Sequence, residues 1–440
     1  NVGSDYTAAY QSASTSKHVV AQTFDGISPA SPIDVKISFD QSAYNMSVIY
    51  YPTTTSNGEN NFTCQAVMIV PKNVPANGYK LLMVNHGRGQ SVFEINFWYF
   101  LGNEGYIVAH SNLTSDNYGG KFNDWGYNQQ LEIDQLRQYA ISNCPVDLDR
   151  QYVLGSSLGG FNTMLCLENH PDVYAAGAVY AGPYDLKKFY NFTQPITGTD
   201  FTRSCGGTWS EHPYEWAIRN PIERVGQISA KVVVVAGNQD MNVIYNDHPV
   251  PFHNAVPGSI LYTVENAAHE FYTWESYRKE VFNLFESAVR IDAQENAVDG
   301  LFYGRPEYVS DGYVQQQENL RYSNSWLSVE LQDKNFTHIV ASISGAGCNI
   351  KVDRQSIIAV TIPEGAGGAF ITDPILAKYS RASFSQGKFE FTVQPNTDYE
   401  ISFGAEKTSG FFGVSGFGAM LALTGLAGAA IAFGRLRRRG

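Results

Sequence analysis

RQYVLGSSLGG (Arg150–Gly160) decides the fold. An apolar run of strand length, Arg150–Leu154, gives way to Gly155-Ser156-Ser157-Leu158-Gly159, and the helical stretch Phe161–Glu168 follows. The five residues fit G-x-S-x-G, in which a serine sits on a tight strand-to-helix turn and the flanking glycines leave room for it. Its hydroxyl then stands above the edge of a sheet, where the helix N-terminus contributes partial positive charge. Ser156 is not the serine of this frame, because Leu154 and Leu158 would then occupy the glycine positions. Gly160 adds a third small residue that lets the helix approach the sheet.

Working outward, the chain alternates strand and helix. Val35–Phe39, Met46–Tyr51 and Cys64–Val70 read as strands, and Lys80–Asn85 (KLLMVN) is a continuous apolar run of the kind buried on both faces. A helix over Phe93–Leu101 and a strand over Tyr106–Ala109 follow. Gln129–Ile141 sets Leu131, Ile133, Leu136, Tyr139 and Ala140 at helical spacing. After the serine come strands at Ala175–Tyr180, Lys231–Ala236 (KVVVVA) and Ile260–Val264, and a helix over Glu270–Val289. Such alternation predicts a mostly parallel sheet with helices on both faces, occupying residues 34–295 after a Ser-, Ala- and Thr-rich lead-in over 1–33.

A serine hydroxyl is a poor nucleophile until a base takes its proton. In this chain order an acid and then a histidine follow the serine. Asp240 lies just past the strand Lys231–Ala236, and His269 just past Ile260–Val264, both at C-terminal strand ends where open α/β sheets place their sites. The reading assigns Ser157 as nucleophile, His269 as general base and then acid, and Asp240 as the group that fixes the imidazole. Asp185, after the strand Ala175–Tyr180, is the rival acid; Asp247 and His248 lie several residues beyond a strand end. The oxyanion of the tetrahedral intermediate needs N–H donors, each worth ~3 kcal/mol. Leu158 N–H is one, and Asn85-His86-Gly87-Arg88-Gly89-Gln90 offers the second, Arg88 N–H first and Gly87 N–H next. His86 itself reads as structural.

These segments resemble the α/β-hydrolase superfamily, nearest its dienelactone hydrolase and prolyl-oligopeptidase-like esterase branch. The matching pieces are NHGRG (Asn85–Gly89), GSSLGG (Gly155–Gly160), GNQD (Gly237–Asp240) and AAHEF (Ala267–Phe271), across about residues 35–290. The resemblance implies an ester or peptide hydrolase with no metal or organic cofactor. Fewer than eighty residues precede the His-Gly strand, too few for the propeller of prolyl oligopeptidases, so carboxylic-ester hydrolysis is expected, with exopeptidase action as the alternative. A second alternative is a non-catalytic surface protein on a hydrolase scaffold, which a separation of Asp240 and His269 beyond ~8 Å would favour. Residues 183–227 read as an irregular cap whose Phe189, Tyr190, Trp209, Tyr214 and Trp216 would shape a substrate pocket.

Beyond Asp299 the texture changes to short strands separated by turns: Trp326–Leu331, Thr337–Ile343, Cys348–Val352, Ile357–Ile362, Lys388–Val393 and Tyr399–Phe403. They predict a β-sandwich over 300–405, with a spacer role as the simplest reading beside carbohydrate binding or packing.

Composition bounds the partners. The 440 residues are 43% hydrophobic and 16% charged, enough for a large core. The net charge is −12, and four of the thirty cations are Arg435, Arg437, Arg438 and Arg439, so the remaining chain is strongly acidic. With no basic patch upstream of the tail, nucleic acid is not expected as a partner. The five cysteines, Cys64, Cys144, Cys166, Cys205 and Cys348, show no C-x-x-C spacing, and an oxidising compartment would allow one or two disulfides. Sequons at Asn45, Asn61, Asn112, Asn191 and Asn335 fit an exported glycoprotein, and a first residue other than Met fits a removed signal peptide.

Phe411–Gly434 carries no charge, and a helix of that length rises about 36 Å, against a hydrocarbon layer of ~30 Å. The arginine cluster over residues 435–440 follows at once, so the positive-inside rule puts the C-terminus in the cytoplasm and everything before the helix outside. Ser415-Gly416-Phe417, the apolar run and the arginines resemble the Pro-Gly-Phe sorting tails handled by archaeosortases, with Ser415 where that pattern has proline.

Overall fold

A computed structural model describes residues 17–19, 21–23, 33–35, 43–52, 63–90, 92, 105–113, 125, 127–171, 173–269, 277–290 and 297–303, together with the strands and turns named below between 321 and 403. The expected helix Phe93–Leu101, most of the strand Val35–Phe39 and the tail Phe411–Gly434 lie outside these residues. Among the described residues no helix is long and apolar enough to cross a membrane.

The frame is a nine-stranded sheet. In chain order its strands are β2 (Ala21–Thr23), β4 (Tyr44–Pro52), β5 (Thr63–Pro71), β6 (Tyr79–Asn85), β7 (Tyr106–Ser111), β8 (Val146–Ser156), β9 (Ala176–Tyr180), β10 (Lys231–Gly237) and β11 (Ile260–Val264); a separate ribbon pairs β1 (Lys17–Val19) with β3 (Ile33–Val35). The spatial order is β11-β10-β9-β8-β6-β7-β5-β4-β2. From β11 to β7 every neighbouring pair is parallel, whereas β5 runs antiparallel to both β7 and β4. This is the sheet of an α/β-hydrolase.

Why the central strands are apolar throughout follows from what covers them. Leu82 and Val84 of β6 face one core with Val233 and Val235 of β10, against Val281, Phe282 and Phe285 of a helix over Arg278–Ser287. Leu81 and Met83 face the other with Val232 and Val234, against Ile133, Leu136, Tyr139 and Ala140 of α1 (Tyr127–Asn143) and Met164 and Leu167 of α2 (Leu158–Asn169). Both faces of the pleat are therefore dry, and neither residue parity can be polar.

The segment expected to be irregular is largely helical. It forms α3 (Leu186–Cys205), the short α4 (Pro213–Ala217) and two 3-10 turns at Pro221–Glu223 and Val225–Gln227. Pro195 and Gly198 inside α3 hide it from periodicity, because both residue types disfavour a helix interior. A further helix, α5 (Pro249–Ala255), precedes β11, and α6 (Arg278–Ser287) ends this part.

Beyond it stand two antiparallel sheets. One orders Ala297–Tyr303, Phe336–Ser344, Gly347–Val352, Tyr399–Phe403, Ala369–Asp373 and Lys378–Arg381; the other orders Arg321–Ser323, Leu327–Leu331, Ser356–Thr361, Lys388–Val393 and Phe384–Ser385. Ile339, Ile350 and Ile401 of the first pack with Val329, Ile358 and Val393 of the second into one core, the arrangement of a sandwich.

Among the described residues no disulfide joins the cysteines, and Cys64, Cys166, Cys205 and Cys348 are buried. Burial pushes the Cys166 and Cys348 thiols up to about 12.

The fold assigns Leu82 to the centre of the frame, fully buried on β6. Leu82→Ala is expected to destabilise the chain by about 2–5 kcal/mol, read as a lower urea midpoint at unchanged slope.

Candidate active site

Ser157 is the residue at which β8 ends and α2 begins. Its φ of 56° and ψ of −119° lie where non-glycine residues are rarely found, and its amide is held by Tyr180 O at 2.8 Å. The turn is possible only because backbone comes close on its far side. A Cβ on Gly159 would lie 2.0 Å from Asn85 O and 2.6 Å from His86 O, so the elbow rests directly on the end of β6. A serine at a helix N-cap ordinarily turns its oxygen onto the first helical amides. Ser157 makes no such bond. Its Oγ instead meets His269 Nε2 at 3.0 Å.

His269 follows the tip of the loop after β11, and its Nδ1 lies 2.7 Å from Asp240 Oδ2. Asp240 is 4% exposed, and its other oxygen accepts the amides of Asn242 and Val243, both at 2.8 Å. The acid and histidine loops are pressed together at Gly237, where a Cβ would lie 2.2 Å from Ala267 O. Gln239 N–H reinforces the contact, donating to the same carbonyl at 2.9 Å. The three side chains expected to converge do so, and the separation of Asp240 and His269 removes the reason for reading a retired scaffold.

Asp185, the rival acid, has another task. It caps α3, its side chain accepting the amides of Lys187 and Lys188. Its own N–H donates to His248 Nδ1 at 3.3 Å. Burial lowers the His248 pKa to about 4, so this ring is neutral and acts as an acceptor. Asp247 is exposed, facing Lys188 Nζ at 3.8 Å.

On the oxyanion side, the Leu158 amide is the first of α2 and belongs to the set a helix cannot satisfy internally. The loop after β6 brings Gly87 beside the elbow, a Cβ there lying 3.5 Å from Ser156 O. The second-choice donor needs correction, because Gly87 N–H is already bonded to Gln90 Oε1 at 2.8 Å. His86 is buried, its ring nitrogens 2.8 Å from Gly87 O and 2.9 Å from Asn112 O, tying the loop to the end of β7.

That arrangement also corrects one sequon. Asn112 is buried, its Oδ1 accepting Val92 N–H at 3.0 Å, so a glycan has no room there. Asn45 and Asn191 are exposed, and Asn61 and Asn335 lie outside the described residues.

The aromatic pocket expected in the cap is mostly a core. Trp216 is fully buried, donates from Nε1 to Gly207 O at 3.0 Å, and packs with Phe189, Tyr190 and Phe201 onto Leu158 and Phe161 of α2. It cannot line a pocket as the fold stands. Trp209 is 43% exposed, with Lys187 Nζ 6.0 Å from its ring centre. The signal that sequence reading missed was Gln90, whose side chain acts on a backbone amide three residues away and leaves no trace in any motif. Among the described residues no group of His, Cys, Asp and Glu could hold a metal ion.

A serine on a strand-to-helix elbow, an imidazole in reach of its hydroxyl and a buried carboxylate behind the imidazole define a serine hydrolase of the α/β-hydrolase fold. The model of the prolyl oligopeptidase family matches residues 92–280 of the chain. The chain is 31% identical over 187 residues to poly(3-hydroxyalkanoate) depolymerase C of Paucimonas lemoignei, covering 39% of this chain and 45% of that protein. It is 27% identical over 178 residues to feruloyl esterase B of Talaromyces stipitatus, covering 38% and 49%. It is 25% identical over 170 residues to dipeptidyl aminopeptidase BIII of Pseudoxanthomonas mexicana, covering 38% and 23%. The matches thus span less than half the length of each relative.

Two outcomes are expected. In Asp240→Asn, the amides of Asn242 and Val243 still demand an oxygen, which turns the new NH2 towards His269 Nδ1. Nδ1 must then accept, Nε2 keeps the proton, and kcat on an activated ester falls by on the order of 10^4-fold with the fold intact by circular dichroism. His248 binds its proton less readily folded than unfolded, so it makes stability fall as pH drops from about 6.5 to about 4. His248→Asn keeps an acceptor for Asp185 N–H and should flatten that part of the pH–urea midpoint curve.

Proposed function

We propose that the chain hydrolyses carboxylic esters through an acyl-enzyme on Ser157. The observation that carries this reading is the unbroken path from Ser157 Oγ through His269 to Asp240, at 3.0 and 2.7 Å. His269 Nε2 takes the hydroxyl proton as Oγ attacks the carbonyl carbon; Asp240 holds the tautomer that makes this possible and compensates the imidazolium that forms. Leu158 N–H and Arg88 N–H receive the oxyanion. Collapse expels the alcohol with the proton returned by His269, and water repeats the cycle to release the acid.

An ester is favoured over a peptide by the relatives, two of which carry ester-cleaving names at higher identity than the dipeptidyl aminopeptidase. The substrate is then a small or polymer-borne ester. The peptidase reading is favoured by the family itself. A panel of short- and long-chain acyl esters, acetylated sugars and matched amides separates the two. Ester turnover that disappears in Ser157→Ala is the expected result, and amide turnover exceeding that of the matched ester contradicts it.

We further propose that the enzyme works outside the cell, tethered by a helix over residues 411–434. The uncharged run and the arginines behind it support this, as do the exposed sequons Asn45 and Asn191. Detergent-phase partitioning of the full chain, lost on truncation after residue 405, is the matching result; an aqueous full chain contradicts it.

A further inference from the structure

The loop after β6 is closed twice by the same pair of residues. Gln90 N–H donates to Gly87 O at 3.3 Å, a turn around Arg88 and Gly89, and Gly89 has the positive φ of 71° that such a turn accepts. In the opposite sense, Gly87 N–H donates to Gln90 Oε1 at 2.8 Å. Gly87 lies against Ser156 O, and its own carbonyl oxygen is 2.8 Å from His86 Nδ1. The loop therefore has its two ends locked to each other beside the elbow that carries the serine.

We infer that Gln90 is a positioning residue of the oxyanion loop: its carboxamide oxygen engages the Gly87 amide and so holds the tip with the Arg88 amide turned to the developing oxyanion. The inference rests on the acyl-enzyme reading given above. Physically, a bare Gly87 amide would compete for the same oxyanion or recruit water, and a turn closed by one backbone bond at 3.3 Å could rotate. The second bond removes that freedom before substrate arrives, which is what preorganised donors require. Gln90 touches neither the nucleophile nor the reacting carbonyl in this scheme. Its effect passes through the backbone.

Gln90→Met keeps the length of the side chain and removes the acceptor, whereas Gln90→Glu keeps an oxygen at the same reach. The expected result for Gln90→Met is a kcat lower by roughly 10- to 100-fold on an activated ester, with KM and melting temperature little changed. Affinity for a boronic acid, which mimics the tetrahedral state, should fall in parallel, and Gln90→Glu should recover most of both. Three results overturn the inference: a kcat that rises, which would make Gln90 a plug the oxyanion must displace; a loss carried by KM or melting temperature; or no recovery with Glu. Endpoint labelling of Ser157 by a fluorophosphonate in the unmodified chain keeps the two readings apart, since its failure would strike the acyl-enzyme reading and not Gln90 alone.

Discussion

A parallel sheet has one edge at which all its strands end, and this molecule depends on that constraint. β8, β10 and β11 run in the same direction, so Ser157, Asp240 and His269 leave the sheet on the same rim although more than a hundred residues separate the first from the last. Only sharp exits keep them there. Leu113, Ser157, Ala181 and Asn266 all have positive φ, and each follows closely on the end of β7, β8, β9 or β11. Strain of this kind costs of order 1–3 kcal/mol per residue and persists only where packing over-determines it. The close approaches at Gly159 and Gly237 are that packing.

The hydrogen bonds on the rim form a directed set. Asp240 has one oxygen held by two amides and the other by His269 Nδ1, so neither the carboxylate nor the imidazole can turn without losing a bond. His269 Nε2 is thereby left to accept from Ser157. Around this set the neighbours are occupied elsewhere: Asp185 caps α3, His248 accepts from the Asp185 amide, and Asn112 joins the loop after β6 to the end of β7. Such assignments explain why, among the described residues, the rim presents one acid–base pair to the nucleophile.

Much of this was legible because burial leaves a simple mark. Leu81–Val84 and Val232–Ala236 are apolar at every position, and both prove to lie in strands covered on both faces. Asp240 and His269 were readable as the first acid after the strand Lys231–Ala236 and the first histidine after the strand Ile260–Val264. The cap was not, since Pro195 and Gly198 break the helical pattern of α3 and its burial comes from tertiary packing on α2. Trp216 reads as a pocket aromatic but is a core residue, because composition does not say which side of a cap faces inward. Gln90 and Asn112 were missed or misread for a related reason. Their roles are bonds to backbone atoms of other loops, and no sequence period encodes those.

The most direct test of the convergent rim is a crystal structure of the chain reacted with a small phosphonate. The account predicts phosphorus bonded to Ser157 Oγ, with one phosphonyl oxygen about 2.7–3.1 Å from the amides of Leu158 and Arg88, and His269 still bonded to Asp240. An adduct on another residue, or a Ser157 adduct whose oxygen meets neither amide with His269 parted from Asp240, would contradict it.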